Sequence, residues 1–318
     1  MNVLVISHTY ITRIGREKWR ELARLYDVNL RIIVPTVWKD YLFTIRYDEH
    51  RDDELEMRAL PVLFSGKEAA HVYRSAYMCM RDFKPDILHV EEGTDAFSYF
   101  QALVYRRIFA PQARTLFFTW MNFEKTLNFP FTFFERFNLI RSDAAICGNS
   151  DARDILRKKG FEKHVHVMPL LGLDAELFQK RDASDFKQEL GLIGTVIGFI
   201  GRFVPEKGVM ELLESCAKLN GEYSLLLIGG GKLEADLRRR AEELGIAMDL
   251  LVLPSYTVAH WKEQFGQVLV QAMASEVTVL GSTHAEIPKV IGDAGFTFEE
   301  KNWDEMHEKQ QMLPDRYD

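Results

Sequence analysis

Two cations lie close together in one glycine-bounded stretch of the sequence, Gly201 to Gly208. This stretch follows an apolar run, Val196 to Ile200, and precedes a segment of helical spacing that opens at Val209. A strand, a glycine-containing turn and a helix N-terminus in this order favour anion binding, because backbone N–H groups and the helix dipole point at the ligand. Arg202 offers a forked donor and Lys207 a point charge to phosphate oxygens. The stretch is therefore interpreted as a phosphate site, with a loop of solvated cations as the alternative.

A second candidate is Glu263, which precedes Gly266 and an apolar-faced helix predicted over Val268 to Ala274. Gln271 follows eight residues after Glu263. Eight residues are just over two helical turns, so both side chains can face one cleft. A carboxylate and an amide suit sugar hydroxyls, which need oriented acceptors and donors. The alternative is a solvated helix face, where Glu and Gln are common.

Short apolar runs rich in Val, Ile and Leu alternate with amphipathic segments along the chain. This pattern predicts buried parallel strands separated by helices, one of them from Val72 to Phe83 with apolar residues about one turn apart. A chain of 318 residues is long for one domain, so we expect an α/β protein with two Rossmann-like doubly wound domains, 1–169 and 170–318. The predicted strands are Val3 to Ile6, Leu30 to Val34, Ile87 to Val90, Thr115 to Thr119, Ala144 to Cys147, Val165 to Met168, Val196 to Ile200, Ser224 to Ile228, Leu250 to Leu253, Thr278 to Gly281 and Gly295 to Phe298.

Ligands of open parallel sheets lie beyond the carboxyl ends of the strands. In the first half this rule selects His8, Glu91, Glu92 and Asn122, of which His8, Glu91 and Asn122 are kept as possible cleft residues, and in the second half it selects the stretch from Ser282 to Pro288. For His8 and Glu91 the alternative is a helix cap or a partner for backbone amides. His164 and His166 would face one side of a predicted strand, but no third ligand is visible, so an ordinary strand is favoured over a metal site.

Composition excludes several classes of protein. The net charge of -7 and the pI of about 5.8 argue against a nucleic-acid partner, whose phosphates need clustered Lys and Arg. The three cysteines form no Cys-x-x-Cys pair, which fits a reducing cytoplasm. The N-terminus does not resemble a signal peptide, and no apolar stretch approaches the roughly 20 residues of a membrane span. A cytoplasmic protein is expected.

Taken together, these stretches resemble family 4 glycosyltransferases in order and spacing, over nearly the whole chain. The resemblance implies the GT-B fold, with two Rossmann-like domains facing a cleft, and retaining transfer of a hexosyl unit from a nucleoside diphosphate sugar to a hydroxyl acceptor. It implies no cofactor and no metal, and the sequence contains no Asp-x-Asp to hold one on a diphosphate. The matching segments are Gly201 to Gly208, Pro254 and Ser255, Glu263 to Gly266, Gln271 to Ala274, Glu286 to Pro288 and Gly292 to Gly295, and in the first half His8 to Tyr10, Ala144 to Leu156, Val167, Pro169, Gly172 and Asp174.

The same resemblance implies roles for particular residues. Arg202 and Lys207 neutralise the donor diphosphate and Glu263 touches the donor sugar, so these three are the catalytic candidates. Position 271 holds the ribose. The implied donor-binding residues are Gly15, Gly201, Gln271, Glu286 and Ile287.

Some positions depart from the family pattern. Gln271 stands where the family has Glu, and Glu276 and Ala285 stand where glycine is usual. The connection 244–250 is short, and the second domain is expected to be shortened, without long C-terminal helices. These departures leave an inert or weakened GT-B scaffold that only binds ligand as the alternative, and a GT-B epimerase or phosphorylase as a third candidate.

A phenylalanine-rich stretch from Phe129 to Phe137 ends near Arg141. It precedes a predicted buried strand, so a helix packed in the core is the favoured interpretation. The alternative is a helix that lies on a membrane where a lipid acceptor sits, at the inner face of the membrane. Peripheral membrane contact is therefore kept as a partner hypothesis.

Overall fold

The computed structural model describes residues 1–25, 27–39, 44–49, 54–169, 172–244, 251–253, 255 and 263–312. Its contacts divide the chain into two compact units, Met1–Leu170 and Leu171–Asp318, called unit 1 and unit 2 below. The two units are described separately.

Unit 1 alternates strands with helices, and two 3-10 turns, Thr9–Ile11 and Arg13–Arg16, follow its first strand. Its elements are β1 Asn2–Ile6, α1 Glu17–Leu25, β2 Asn29–Pro35, β3 Val37–Lys39, β4 Thr44–Arg46, β5 Glu56–Leu60, β6 Val62–Leu63, β7 Val72–Tyr73, α2 Ala76–Phe83, β8 Ile87–Val90, α3 Phe97–Phe109, β9 Arg114–Thr119, α4 Phe131–Arg141, β10 Ala144–Cys147, α5 Ser150–Lys158 and β11 His164–Val167.

The main sheet of unit 1 is parallel and, among the described residues, has seven strands in the order β11-β10-β9-β8-β1-β2-β5. Side chains of β1 alternate between two hydrophobic clusters: Leu4 and Ile6 belong to one, Val3 and Val5 to the other. Both faces of the sheet are thus covered, as expected of buried parallel strands. The strand order reverses beside β1, so the loops after β1 and β8 lie next to each other at the carboxyl edge.

Unit 2 repeats this architecture with a smaller sheet. In the part of the chain that the structure describes, the sheet has five parallel strands in the order β13-β12-β14-β15-β16. The order reverses beside β12, so the loops after β12 and β14 are neighbours. The elements are α6 Ser184–Glu189, β12 Thr195–Arg202, α7 Val209–Cys216, β13 Tyr223–Gly230, α8 Glu234–Leu244, β14 Leu251–Leu253, α9 Gln267–Ala274, β15 Val279–Ser282, α10 Ile287–Ile291, β16 Phe296–Phe298 and α11 Trp303–Met312.

Each strand predicted from an apolar run corresponds to a strand of one of these sheets, with ends that differ by one or two residues. Leu250 and the short connection around it lie outside the described residues. The predicted helix from Val72 is wrong at its start, because Val72 lies in β7 and α2 begins at Ala76. Ser75, just before α2, has a left-handed backbone with φ 61°, which no helix continues through.

Strands β3 to β7 were not predicted. Four of them form two short antiparallel pairs, β3 with β4 and β6 with β7. The fifth, β5, is the edge of the large sheet, and none of its residues is fully buried. Segments of two to five residues that are half exposed carry too little apolar periodicity to be recognised.

The phenylalanine-rich stretch forms α4, and only Asn138 and Leu139 of this helix are fully buried. The core interpretation is wrong for Phe129 and Phe133, which are 83% and 50% exposed. The helix packs on α3 through one face, on which Phe134 meets ring atoms of α3, and one face cannot bury every ring of so dense a run. Among the helices that the structure describes, none combines the length and apolar character that crossing a membrane requires.

Candidate functional site

Two of the three predicted catalytic side chains, those of Lys207 and Glu263, lie together in unit 2. Arg202 ends β12 and is half exposed. A 3-10 turn, Pro205–Lys207, follows, and α7 begins at Val209. Gly208 between them has φ 66°, a left-handed conformation that favours glycine. The order of strand, turn and helix N-terminus is the one expected of an anion site.

The Lys207 ammonium forms an ion pair with Oε2 of Glu263, although 56 residues separate them in the sequence. The two side chains are 13% and 12% exposed, so water screens the pair only in part. Ser255 donates a hydrogen bond of 3.4 Å to the same carboxylate oxygen. A phosphate that binds Lys207 must therefore share the ammonium with Glu263 or displace the carboxylate.

The backbone of Glu263 is held by a buried histidine. Its N–H donates to Nε2 of His284 over 2.7 Å, and His284 is fully buried after β15. Since Nε2 accepts, the neutral His284 ring carries its proton on Nδ1, which lies 3.8 Å from Oε2 of Glu300. Ser282, at the end of β15, donates its hydroxyl to the carbonyl of Ser255. The loops after β14 and β15 thus position Glu263 from two sides.

The other donor-binding candidates of unit 2 occupy different environments. Gln271 lies on α9 and is partly exposed. Glu286 is 8% exposed and pairs with Lys289 at 2.8 Å. Ile287 is fully buried in an apolar cluster, and its N–H donates to the carbonyl of His284, so neither its side chain nor its amide faces a ligand. The sequence alone did not distinguish the environments of Gln271, Glu286 and Ile287.

Glu276 and Ala285, which stand where glycine is usual, adopt the backbone conformation that glycine favours. Glu276 has φ 56° and Ala285 has φ 49°. The left-handed region costs an ordinary residue roughly 1 kcal/mol or more. Among the described residues, the side chain of Glu276 forms an exposed ion pair with Lys180 at 2.9 Å. The loops therefore keep the shape expected for glycine and carry local strain.

Gly201 lies where the backbones of β12 and β13 approach closely. It pairs with Gly229, whose φ is 151°. A Cβ at Gly229 would lie 1.8 Å from the carbonyl oxygen of Gly201 and force the strands apart. The glycines here permit close contact between backbones at the carboxyl edge of the sheet.

In unit 1, Glu91 is buried within its own network. Its carboxylate accepts from Nζ of Lys18 at 2.7 Å and from Tyr10, and contacts Nε2 of His89 at 2.8 Å. Burial raises the pKa of Glu91, but the hydrogen bond and charge of His89 and the charge of Lys18 lower it by more, so the net pKa is below its usual value. With these partners, Glu91 organises the loop after β1 rather than presenting a carboxylate to a ligand.

His8 pairs with Glu92, the residue beside Glu91. Nδ1 of His8 lies 2.6 Å from Oε2 of Glu92, whose other oxygen accepts from Tyr73 at 3.0 Å and lies 3.3 Å from Nε2 of His71. Trp38 stacks on the His8 ring with a centroid distance of 4.4 Å. Burial raises the pKa of Glu92, and the charges of His8 and His71 outweigh that effect and lower it to about 2.

Gly15 and Asn122 complete the predicted set in unit 1. Gly15 lies in the turn Arg13–Arg16, where a Cβ would meet only ordinary contacts, the nearest at 3.5 Å from the Thr9 carbonyl oxygen. Nothing in the local backbone therefore requires glycine there. Asn122 is 2% exposed, in the loop after β9.

Several residues at these edges were missed or left unassigned. His284 lies in a loop that the strand rule selects, but its support of Glu263 depends on tertiary contact. Lys18 and His71 carry no sequence signal, because each is an isolated polar residue outside the carboxyl end of a main strand. Glu92 directly follows β8 and was found by the strand rule, without its two histidine partners.

Two Rossmann-like units with parallel sheets, and ligand-type side chains at the carboxyl edge of each, define the GT-B class of fold. Residues 180–248 and 246–313 match the family model described as Glycosyl transferases group 1. Both matched segments lie within unit 2.

Known proteins support the same fold. Sucrose-phosphate synthase from Thermosynechococcus elongatus superposes with a TM-score of 0.70 at 16% identity, over 99% of this chain and 90% of that one. Anabaena HepE in complex with UDP gives a TM-score of 0.68 at 14% identity, over 97% and 88%. D-inositol 3-phosphate glycosyltransferase of Mycobacterium leprae is 30% identical over 38% of this chain and 33% of its own length. The match thus spans about a third of that relative.

Proposed function

We propose that this protein is a retaining glycosyltransferase of family 4 that moves a hexosyl unit from a nucleoside diphosphate sugar to a hydroxyl acceptor. The observation that carries the proposal is the contact between Lys207 and Glu263 at the carboxyl edge of the sheet in unit 2, the unit that matches the Glycosyl transferases group 1 model. A cation for the diphosphate and a carboxylate for the sugar are the two groups that such a donor needs side by side.

The chemistry assigned to the site is electrostatic. As the bond between the sugar and the diphosphate breaks, negative charge develops on the β-phosphate of the leaving nucleoside diphosphate. Arg202 and Lys207 would stabilise this charge beside the N-terminus of α7. Glu263 would accept hydrogen bonds from sugar hydroxyls. We assign no general base among the described residues. The donor is a co-substrate, and no cofactor is part of the proposal.

Nucleotide-sugar chemistry is supported by similar proteins. HepE is seen in complex with UDP, and the relative from Mycobacterium leprae is named for transfer to an inositol phosphate. For this chain we propose a nucleoside diphosphate sugar as donor and a hydroxyl compound as acceptor, with nucleic acid outside its function.

Calorimetric titration of the purified chain with UDP, GDP and ADP tests the proposal. We expect one of the three to bind with a micromolar dissociation constant, which also identifies the base. Nuclear magnetic resonance of the product then reports the anomeric configuration, and we expect it to match that of the donor. Inversion of the configuration would contradict the retaining mechanism.

Donor binding is proposed to need no divalent ion, because side chains and the α7 N-terminus supply the positive charge. UDP or its preferred counterpart should then bind with the same affinity in EDTA as in Mg²⁺ or Mn²⁺. A dissociation constant that rises in EDTA and recovers with the ion would defeat this part of the proposal.

An inert scaffold is the rival function, and two observations favour it. Lys207 is paired with Glu263, and the loops at Glu276 and Ala285 are strained. A scaffold predicts no binding of any of the three diphosphates, or binding with no turnover of the matching nucleotide sugar. Measurable hydrolysis of the sugar nucleotide would eliminate it.

Peripheral membrane contact is proposed for the surface around α4. Phe129 and Phe133 are 83% and 50% exposed, and Arg136 and Arg141 on the same helix are exposed as well. Aromatic rings beside cations suit the headgroup region of an anionic leaflet, which fits a cytoplasmic protein acting at the inner face of a membrane. Vesicles of phosphatidylglycerol should sediment the chain, and Phe129→Ser with Phe133→Ser should release it. Equal sedimentation of the parent chain and the double variant would refute the assignment.

A further inference from the structure

Three side chains from separate segments of unit 1 lie close together at the carboxyl edge of its sheet. His8 follows β1, Glu92 follows β8, and His71 precedes β7. One ligand atom from each residue lies within 4.8 Å of the other two. The side chains of His71 and Glu92 are fully buried and that of His8 is 18% exposed, so this His8–His71–Glu92 cluster opens to solvent on the His8 side alone.

The hydrogen bonds of His71 determine which of its nitrogens faces Glu92 with a lone pair. Nδ1 lies 3.0 Å from the carbonyl oxygen of Glu68 and 3.3 Å from that of Lys67, and a carbonyl only accepts, so Nδ1 carries a proton. In the neutral ring Nε2 is then an acceptor. It faces Oε1 of Glu92, a second acceptor, at 3.3 Å. Two buried acceptors that face each other are unfavourable unless a proton or a metal cation lies between them.

We propose that His8, His71 and Glu92 bind a divalent transition metal ion, with Zn²⁺ as the best match. Two imidazoles and one carboxylate are a common ligand set for this ion, with a fourth position for water. Bond lengths of roughly 2.0 to 2.2 Å in a tetrahedron place ligand atoms about 3.3 to 3.6 Å apart. The separation of His71 Nε2 and Glu92 Oε1, 3.3 Å, lies at the lower end of this range. His8 Nδ1 lies closer to Glu92, at 2.6 Å, so its ring would move outward to admit the ion.

The surroundings also fit a metal centre. Metal-binding histidines commonly donate their second ring N–H to a carbonyl, as His71 does to Glu68, and ligating carboxylates accept further hydrogen bonds, as Glu92 does from Tyr73. Trp38 stacks on His8 and orients its ring. By contrast, His164 and His166 are exposed on the edge strand β11, and among the described residues neither belongs to a three-ligand cluster.

This inference does not depend on the proposed function. The cluster lies in unit 1, whereas the cations assigned to the donor lie in unit 2. Metal binding and diphosphate binding are measured separately. The experiments therefore distinguish a glycosyltransferase that lacks this metal from an inert scaffold that binds it.

The test is a titration of the full chain, stripped of metal by a chelator, with Zn²⁺ in competition with a chromophoric chelator. We expect one equivalent to bind with a dissociation constant below about 1 µM. His8→Ala, at the solvent side of the cluster, should weaken binding by at least about 100-fold, as loss of a direct ligand exceeds the 10- to 100-fold effect of an outer partner. The variant with His164→Ala and His166→Ala is the control and should bind like the parent.

A second, smaller substitution tests the metal site in case His8→Ala fails to fold. Tyr73→Phe removes only the hydroxyl that donates to Glu92 and should weaken Zn²⁺ binding by roughly 10- to 100-fold. Co²⁺ in place of Zn²⁺ should give the intense visible absorption of a tetrahedral site in the parent and not in His8→Ala. No Zn²⁺ binding by the parent would overturn the proposal in favour of a proton-linked ion-pair network. Binding lost in the His164 and His166 variant but kept in His8→Ala would overturn it as well.

Discussion

Replacing Glu263 by Gln should make a nucleoside diphosphate bind more tightly. In the structure the Lys207 ammonium already contacts the Glu263 carboxylate, and both side chains are nearly nine-tenths buried, at 13% and 12% exposure. A diphosphate oxygen that contacts this ammonium brings a second anion onto the same cation. Glu263→Gln keeps the side-chain volume and removes one of the two anions.

The size of the effect follows from the geometry. Two unit charges on opposite sides of one ammonium are about 5 Å apart, and at an effective dielectric constant near 20 they repel by ~3 kcal/mol. Water and salt screen a site at the edge of a sheet, so we expect ~1 to 2 kcal/mol to remain. This corresponds to a roughly 5- to 30-fold gain in affinity for the diphosphate.

The assay compares the diphosphate with its nucleoside by calorimetry, using whichever of UDP, GDP and ADP the parent binds. The nucleoside lacks the phosphates, so its affinity should not change in Glu263→Gln. Lys207→Ala should lower diphosphate affinity roughly 10- to 100-fold, since a charged hydrogen bond contributes about 1.5 to 3 kcal/mol, and should spare the nucleoside. Glu305→Gln is the matched control, because Glu305 pairs with Lys309 at 2.6 Å on α11, apart from the candidate site.

Two results would refute this reasoning. If Glu263→Gln left the melting temperature unchanged but weakened diphosphate binding, the carboxylate would hold Lys207 in place for phosphate rather than compete with it. If Lys207→Ala weakened the diphosphate and the nucleoside equally, Lys207 would not contact phosphate at all.

Three further predictions concern other residues. Gln271→Glu should raise diphosphate affinity severalfold, because an ionised acceptor for the ribose adds about 1 kcal/mol. If calorimetry shows an unchanged affinity for the diphosphate, position 271 is not part of the site. Glu276→Gly should raise the melting temperature by roughly 2 to 4 °C, since relief of the φ of 56° outweighs loss of an exposed ion pair; a lower temperature would contradict the strain. The three cysteines are buried, and burial raises the pKa of Cys147 and of Cys216 to about 12. Ellman's reagent should therefore titrate no thiol before unfolding and three after it, whereas rapid reaction of the native chain would disprove this.

The main strands were predictable because parallel strands covered on both faces consist of uninterrupted apolar residues. β1, β8 and β12 are examples in which an apolar run and a buried strand nearly coincide. The loops that follow them are then defined too, which is why Arg202, Lys207 and Glu92 could be selected as candidates at the carboxyl edges of the sheets. Glu276 and Ala285, which stand where the resemblance implies glycine, both have positive φ values.

Local patterns failed where a second element decides the outcome. Val72 fits the helical spacing of α2, but it pairs with Leu63 in a short antiparallel strand instead. Phe129 and Phe133 have the residue type of a core, yet Phe129 lies before α4, and α3 covers only one face of α4 and leaves Phe133 half exposed. Apolar character measures the tendency to be buried, and the number of neighbouring elements sets how much surface can be buried.

By itself the sequence determined the α/β class, the strands of both main sheets except β5 and the loops that follow those strands, because these depend on residue type and short-range periodicity. Only the tertiary structure decided which loops meet. Placing β14 beside β12 brings Glu263 onto Lys207 across 56 residues, and placing β8 beside β1 brings Glu92 onto His8 across 84. Strand order is set by packing between segments far apart in the chain, so partners such as these leave no local pattern in the sequence.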